Sequence, residues 1–316
     1  MVNEISAGRE KVFPRRRIVL VTLLGLLLAA PLFGHAFCNW PRHTAAWADA
    51  RVEKALARGL DYLHASGAFL RPLSRRGAPA LQHYLLNQVL EKHDHAGLRV
   101  QLGLAARLNQ DAGEWRDFYG LRGWASQELE DEDRERIQLR VQNSQRADTA
   151  LLLHAINPAW TKLSATNESV LFEHPERFTA SAELCRALLA YHWLSETSPE
   201  VAKLRRVDVL AARVAERLRQ LQMRAVLVDG AYYERMAVGL FTKQTGWRSR
   251  RWVERILANQ ASDGGWPATA TFGRALLEMA GWHFDSTGSS PESTVYALVA
   301  LSQYREVSRA SAKPAR

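Results

Sequence analysis

The sequence RRWVERILANQASDGGW occupies residues 250–266 and carries the strongest indication of the fold. It joins a helical pattern to the spacing Gln-x3-Gly-x-Trp, formed by Gln260, Gly264 and Trp266. A glutamine at a helix end can hydrogen-bond carbonyl groups that have no partner within the helix. A glycine permits a tight turn with positive φ, and a tryptophan can cover that turn. The stretch therefore predicts a helix, a tight turn and an aromatic side chain closing it.

The helical pattern extends over nearly the whole chain. From residue 45 onward apolar residues recur every three or four positions, as in Val52, Leu56 and Leu60, and no run shows sustained alternation with period two. This periodicity predicts an all-α protein. The eleven predicted helices span residues 45–66, 79–91, 95–109, 126–142, 146–157, 179–195, 199–224, 231–243, 247–260, 271–281 and 291–307.

A helix followed by a glycine turn and an aromatic residue occurs several times. The clearest examples lie at residues 52–69, 214–232 and 253–266. Such helix pairs must pack on one another to bury their apolar faces, because a single pair cannot form a core alone. The irregular spacing argues against a regular open solenoid and is compatible with a closed ring of helix pairs.

Residues 248–307 resemble the QW motif of the terpenoid cyclase and protein prenyltransferase superfamily. The resemblance rests on Gln260, Gly264 and Trp266, and on the segment 291–301, which looks like the inner helix that follows such a turn. Residues 147–153 resemble another inner helix. The resemblance implies an α/α toroid, a closed ring of five or six inner and outer helix pairs. In that superfamily the QW element is structural, so it leaves the chemistry open.

The chemical motifs of that superfamily are missing from this sequence. Only Asp148-Thr149-Ala150 remains of the cyclase motif Asp-x-Asp-Asp-Thr-Ala, and a lone aspartate lacks the neighbouring carboxylates that would hold its proton. We therefore expect Asp148 to cap its helix rather than to act as an acid. The acidic residues 128–133 precede Arg134 and Arg136, which predicts a self-neutralised surface helix and no magnesium site.

A zinc site is also not expected. Glu183-Leu184-Cys185 has the spacing of the prenyltransferase ligands, but Ser293 stands where the superfamily places the histidine ligand. If residues 93–95 are helical, the rings of His93 and His95 point in different directions, so they are not placed to share a metal ion. We expect no bound metal and no cofactor.

Six residues remain as candidates for a site. Asp148 and Glu292 lie at the starts of predicted inner helices and would be the acids of a divergent cyclase or lyase. The candidates for substrate binding combine aromatic rings, which stack on sugars, with groups that transfer protons next to a carbonyl. These residues are Trp266, Trp282, His283 and Asp285. The alternative for Trp282 and its neighbours is a tryptophan-rich loop that caps the ring.

The first 37 residues are typical of a leader. Arg15, Arg16 and Arg17 precede the almost uninterrupted apolar run 18–30, and the stretch 18–37 contains only two polar side chains, Thr22 and His35. The run suits the hydrophobic region of a cleaved signal peptide, and the longer stretch just suffices for an uncleaved membrane anchor; a buried core helix is the third interpretation. In the first two cases the basic residues stay on the cytoplasmic side, so the chain after residue 38 is translocated.

These features predict a leader at residues 1–37, a linker at 38–44, a toroid domain at 45–307 and a disordered tail at 308–316. The composition, 47% apolar and 24% charged, excludes a disordered or fibrous chain. The two cysteines, Cys38 and Cys185, exclude a four-cysteine zinc site and allow at most one internal disulfide.

Charge adds one constraint on partners. Without residues 1–37 the chain has 37 basic and 31 acidic residues, a net charge of +6. The basic residues are spread along the chain, which argues against a nucleic-acid partner and leaves an anionic glycan or lipid as the expected one.

We expect an extracytoplasmic protein that binds a large envelope substrate, a glycan, lipid or peptide, in a central cavity. The alternatives are a divergent cyclase-like or lyase-like enzyme and a structural partner in an envelope complex. The chemistry of the cavity separates them. An apolar, aromatic cavity with one shielded carboxylate would favour isoprenoids. An open groove with carboxylates, arginines and surface tryptophans would favour a glycan, and a filled ring would favour a scaffold.

Overall fold

The computed structural model describes residues 45–68, 79–108, 131–159, 161–225, 227–244, 246–269 and 288–312. Within these ranges the protein is all-α, as the periodicity predicts. The helices are α1 (Ala45–Ser66), α2 (Pro79–Leu90), α3 (Ala96–Leu108), α4 (Asp131–Asn143), α5 (Ala147–Ile156), α6 (Ala165–Phe172), α7 (Ser181–Thr197), α8 (Pro199–Leu204), α9 (Val207–Arg224), α10 (Gly230–Phe241), α11 (Arg250–Ala258) and α12 (Pro291–Ala312). A 3-10 turn spans Pro175–Arg177, and two short antiparallel strands, β1 (Trp266–Pro267) and β2 (Ser289–Ser290), pair with each other.

Five helices form an inner row in which each packs against the next. The order across the row is α5, α7, α10, α12 and α2. We call these the inner helices and the remaining ones the outer helices. Outer helices α4 and α6 pack on α5, α8 and α9 on α7, and α1 and α11 on α12. The inner helices α7 and α12 are apolar around most of their circumference, which is typical of helices buried on every side.

The inner helices all begin at the same end of the row. Four close approaches or hydrogen bonds join the first turns of neighbouring inner helices: Asp148 with Arg186, Ser181 with Arg235, Gly230 with Ser293, and Gln82 with Tyr296. At the opposite end the Thr197 hydroxyl donates to the Ala155 carbonyl oxygen at 2.9 Å. The five N-termini therefore face one region of the molecule.

The Gln-x3-Gly-x-Trp turn follows α11 and binds to α1 through hydrogen bonds and close packing. The Gln260 amide donates to the carbonyl oxygens of Ala55 and Gly264 at 2.9 and 2.8 Å. Gly264 has φ of +92°, and a Cβ at this position would lie 2.5 Å from the Arg58 carbonyl oxygen. Only glycine satisfies both the backbone angle and the close approach. The turn is thus built around α1, which lies about 200 positions earlier in the chain.

Trp266 completes this connection as a buried residue. Its ring is fully buried, and its indole N–H donates to the Ile256 carbonyl oxygen at 2.8 Å. Its backbone N–H donates to the Thr294 hydroxyl at 3.0 Å, and a Cβ at Gly59 would lie 2.7 Å from its ring. Trp266 therefore contacts α1, α11 and α12 together.

The predicted helices differ from the observed ones in a few places. The helix predicted at 199–224 is interrupted, because Arg206 adopts a left-handed conformation with φ of +51°. Helix α6 was not predicted, since its only buried side chains, Asn167 and Leu171, form too weak a pattern. Helix α12 continues to Ala312, into the segment predicted as a disordered tail. The helix predicted at 271–281 lies outside the described residues.

The three repeated segments occupy equivalent positions in the fold. Each contains an outer helix, α1, α9 or α11, and the next described inner helix along the chain is α2, α10 or α12 respectively. Residues 18–37, the predicted membrane anchor or signal peptide, lie outside the described residues. Within the described ranges no helix is both long and apolar enough to cross a membrane.

Candidate functional site

Charged side chains gather where the inner helices begin. Arg146 precedes α5, and Asp148, Arg186, Glu234 and Glu292 lie in the first two turns of α5, α7, α10 and α12. We call these five residues the polar end. Elsewhere the inner helices are largely apolar, so this group forms the most polar part of the inner row.

The helix starts beneath the polar end are fixed by their own caps. The Asp229 carboxylate accepts a hydrogen bond from the Tyr232 N–H at 2.9 Å and begins α10. The Glu183 carboxylate accepts from the N–H groups of Thr179 and Ala180, both at 3.1 Å, and begins α7. These caps satisfy backbone groups that would otherwise be unpaired. The charged residues of the polar end are therefore not needed to start those two helices.

Asp148 has a different role from the predicted cap. The N-cap position before α5 is occupied by Arg146, and no side chain caps this helix. The Asp148 carboxylate, only 3% exposed, forms ion pairs with Arg186 and, at 3.3 Å, with Arg146. The prediction that Asp148 caps α5 is wrong, because its partner lies on the neighbouring inner helix. The Asp148 carboxylate therefore joins two arginines, one before α5 and one on α7.

Arg186 links Asp148 to the rest of the polar end. Its Nε donates to Asp148, and among the described residues its buried Nη2 has no hydrogen-bond partner. A buried guanidinium N–H without a partner is costly. Arg186 also lies close enough to Glu234 for their charges to interact. It can therefore offer a donor to a ligand that reaches the polar end.

Glu234 is the protonatable group of this site. It is partly buried on α10, and burial raises the pKa of its carboxyl from 4.5 to about 7. The nearby positive charges of Arg186 and Arg235 oppose this rise, whereas the negative charge of Glu292 adds to it. A carboxyl with this pKa is about half protonated near neutral pH, which is the property of a general acid or base.

Glu292 is the exposed carboxylate of the polar end. It is the second residue of α12, and its charge influences both Glu234 and Tyr296. When Glu234 holds its proton, the charges of Asp148 and Glu292 balance those of the two arginines. The structure thus brings Asp148 and Glu292, the two predicted acids, to the same end of the inner row, with Arg186 and Glu234 between them.

The predicted substrate-binding residues are placed differently. Trp266 is fully buried between helices, so its ring packs in the core and does not line a solvent-accessible surface. Trp282, His283 and Asp285 lie outside the described residues. Of the predicted residues that the structure describes, the two acids belong to the polar end and Trp266 does not.

The other candidate motifs have structural explanations. Arg134 and Arg136 pair with Asp131 and Asp133 at 3.5 and 3.0 Å, so the acidic helix α4 is neutralised, although at i,i+3 spacing. Cys185 is a free, fully buried thiol whose pKa burial raises well above its usual range. Such a thiol is poorly reactive. The described ranges contain no group of three or more metal-ligating side chains placed to hold an ion.

Glu234 and Arg186 were missed in the sequence. Both lie in otherwise apolar segments, 231–241 and 184–194, and a charge within a helix that is buried all round is itself a signal. Arg235 shows the same signal. It is buried and donates to Gln222 at 2.8 Å and to Ser181 at 3.2 Å, so its charge serves packing between helices.

Comparison with known proteins adds no assignment, since the chain matches no family model, no curated protein and no solved structure.

Proposed function

We propose that this protein is an extracytoplasmic α/α toroid that binds a large glycan of the cell envelope at its polar end. The observation that carries the proposal is the grouping of Glu234, Glu292 and Arg186 on three adjacent inner helices. Lipid and peptide ligands are less well matched, because the described part of this site consists of carboxylates and guanidinium groups.

The toroid is supported by the alternation of outer and inner helices along the chain. Among the described helices an outer helix is followed along the chain by an inner one five times, α1 by α2, α4 by α5, α6 by α7, α9 by α10 and α11 by α12, and α3 and α8 are two further outer helices. The Gln260 turn then returns the last outer helix to the first. Closure of the ring further requires the two ends of the inner row, α2 and α5, to face each other. The number of pairs agrees with the resemblance to the cyclase superfamily.

A glycan suits the chemistry of the polar end. Carboxylates accept hydrogen bonds from sugar hydroxyl groups, and arginines form paired hydrogen bonds with uronic acid carboxylates. The partly exposed guanidinium group of Arg186 and the exposed Glu292 supply one group of each kind. An isoprenoid would instead need an apolar cavity with a protonated acid, and Asp148 is engaged by two arginines.

The pKa of Glu234 favours a second candidate function, that of a divergent lyase-like enzyme. A carboxyl with a pKa of about 7 can transfer a proton at neutral pH. In this alternative Glu234, rather than Asp148, is the acid or base, and Glu292 and Arg186 position a uronate substrate. The enzyme would act on the same ligand class at the same residues.

The extracytoplasmic location follows from the leader. The basic residues before the apolar run 18–37 favour translocation of everything after residue 38, whether the segment is cleaved or kept as an anchor. An envelope glycan is the large polymer that a protein in this location can meet.

The test is calorimetric titration of the full chain with tetragalacturonate, an anionic glycan fragment, and with cellohexaose, a neutral one. We expect tetragalacturonate to bind more tightly. Glu292→Gln and Arg186→Gln should each raise the Kd for tetragalacturonate by roughly tenfold, because each removes one charge-assisted hydrogen bond. Glu200→Gln is a matched control, because Ser198-Pro199-Glu200 repeats the Ser-Pro-Glu start of α12 on the outer helix α8.

The outcomes separate the three functions. Binding that is insensitive to Arg186→Gln and Glu292→Gln would overturn the assignment of the site. Absence of binding to either oligosaccharide would favour the structural partner of an envelope complex. Release of an unsaturated uronate product from polygalacturonate, lost in Glu234→Gln, would favour the lyase.

A further inference from the structure

A cleft lies on the outer surface between the 3-10 turn and helix α9. Its volume is about 580 Å³, and it opens to solvent. Ligand-binding pockets have volumes of about 300–1,000 Å³. The cleft is formed by outer elements, whereas the polar end belongs to the inner helices, so it is a separate feature of the molecule.

The floor of the cleft is apolar and its rim is charged. The floor consists of Pro175, Val209, Ala212 and Val214. The rim carries two carboxylates and two guanidinium groups, from Glu176, Glu216, Arg213 and Arg217. An apolar floor with a charged rim suits a ligand that has an apolar body and a charged head.

The two carboxylates of the rim are already paired. Glu216 accepts hydrogen bonds of 2.7 and 2.9 Å from both arms of Arg219. Glu176 is hydrogen-bonded to His174 at 3.0 Å. Hydrogen bonds lower the pKa of both carboxyl groups, so both are ionised at neutral pH and their charges are engaged outside the cleft.

The two arginines of the rim are less engaged. Arg217 donates from Nη1 to the Pro175 carbonyl oxygen at 3.2 Å, which leaves other donors of its guanidinium free. Arg213 is exposed and forms no hydrogen bond or ion pair with the residues the structure describes. Among the described residues Arg213 and Arg217 have no ion-pair partner, whereas of the two carboxylates Glu216 is paired with Arg219 and Glu176 is hydrogen-bonded to His174. The rim therefore has more unpaired guanidinium groups than unpaired carboxylates beside the apolar floor.

We propose that this cleft binds a single-chain amphiphile with an anionic head group. Arg213 and Arg217 would hold the head, a carboxylate or a phosphate, and Val209, Ala212 and Val214 would contact the hydrocarbon chain. Guanidinium groups bind both kinds of head through charge-assisted hydrogen bonds. This inference does not depend on the proposed glycan site, because it rests on different residues and a different ligand.

The proposal is tested by calorimetric titration of the purified full chain with laurate below its micelle-forming concentration. Laurate should bind the wild type. Ala212→Trp should abolish binding, because Ala212 is an exposed residue of α9 whose replacement fills the cleft without disturbing the core. The double variant Arg213→Gln/Arg217→Gln should weaken binding at least about tenfold, since two charge-assisted hydrogen bonds are lost.

Controls isolate each part of the ligand and of the site. Dodecyl maltoside has the same chain with a neutral head and should bind much more weakly, and acetate has the head alone and should not bind. Arg224→Gln removes an exposed arginine at the end of α9 that does not line the cleft, and it should leave the Kd unchanged. Thermal melting of each variant confirms that it is folded.

Several results would overturn the proposal. These are failure of laurate to bind the wild type, equal binding to Ala212→Trp, and equal affinity for dodecyl maltoside. Phospholipid that co-purifies with the chain while laurate fails to bind would assign the cleft to a membrane lipid instead. None of these results bears on tetragalacturonate binding, so the two proposals fail separately.

Discussion

The Gln260 side-chain amide donates a hydrogen bond of 2.9 Å to the backbone carbonyl oxygen of Ala55, 205 positions earlier in the chain. The same amide donates to the Gly264 carbonyl oxygen at 2.8 Å. One side chain therefore holds a tight turn and attaches that turn to the first described helix. The contact therefore ties the turn after α11 to α1.

Gln260→Glu should destabilise the protein. A carboxylate of the same shape cannot donate to the carbonyl oxygens of Ala55 and Gly264 and repels both of them. We expect a loss of about 2–4 kcal/mol in the free energy of unfolding, measured by urea titration. Gln142→Glu, on the exposed surface of α4, should change it by no more than about 0.5 kcal/mol. Equal effects of the two variants would contradict the bridging role.

Trp266→Ala should lower the stability of the protein whether or not a ligand is present. The ring is fully buried, and its loss leaves a cavity and removes the hydrogen bond from the indole N–H to the Ile256 carbonyl oxygen. The expected cost is about 3–5 kcal/mol, seen as a lower Tm. Leu204→Ala, at an 80% exposed position, is the control. Unchanged stability together with lost ligand binding would instead make Trp266 a binding residue.

Asp148→Asn should be strongly destabilising, because it leaves the partly buried guanidinium of Arg186 without its ion-pair partner. Removing one partner of a buried pair costs about 3–5 kcal/mol. Arg186→Gln should have a similar cost, and the double variant should cost less than the two combined. Asp131→Asn removes an exposed partner of Arg134 and should have little effect. Additive effects of Asp148→Asn and Arg186→Gln would show that the pair is not coupled.

A fusion of alkaline phosphatase after residue 60 should be active, because the basic leader favours export of the chain that follows it. The enzyme is active only outside the reducing cytoplasm, since it needs its disulfides. Replacing Arg15, Arg16 and Arg17 by glutamate in the same fusion should reduce its activity. An inactive fusion with the natural leader would place the body in the cytoplasm.

The turn at residues 260–266 could be predicted because all of its essential residues are close together in the sequence. Gln260 bonds Gly264 only four positions away, and Trp266 follows directly, so the spacing of these three residues already indicates the turn. Their attachment to α1 could not be predicted, because it depends on how distant helices pack. The predicted helix boundaries are close to those observed except where a left-handed residue, Arg206, interrupts the pattern.

The polar end was only partly predictable for the same reason. Asp148 and Glu292 were recognised because each lies next to a helix start, which is a local signal. Glu234 and Arg186 acquire their roles only when three inner helices bring them together. The predicted capping role of Asp148 was wrong because its partner, Arg186, is 38 positions away. Local sequence patterns do not report such a pairing.

Glu234 gives the polar end a carboxyl group whose pKa lies near neutral pH. The proposed chemistry of the site depends on this property. Because its pKa in the folded state, about 7, lies above its unfolded value of 4.5, the folded protein binds more protons between these pH values. The contribution of Glu234 to stability is therefore present below about pH 4.5 and is lost as the pH rises through about 7. Burial lowers the pKa of His83 to about 3, so the contribution of His83 to stability has the opposite pH dependence. Measurements on the wild type alone therefore do not isolate the contribution of Glu234.

The most direct measurement is the free energy of unfolding of the wild type and of Glu234→Gln between pH 4 and pH 8. The variant cannot titrate at this position, and His83 cancels in the difference. We expect the stability of the wild type relative to the variant to fall by roughly 1–3 kcal/mol as the pH rises from about 4.5 to about 7. A difference that stays constant over this range, or that rises with pH, would contradict the claim.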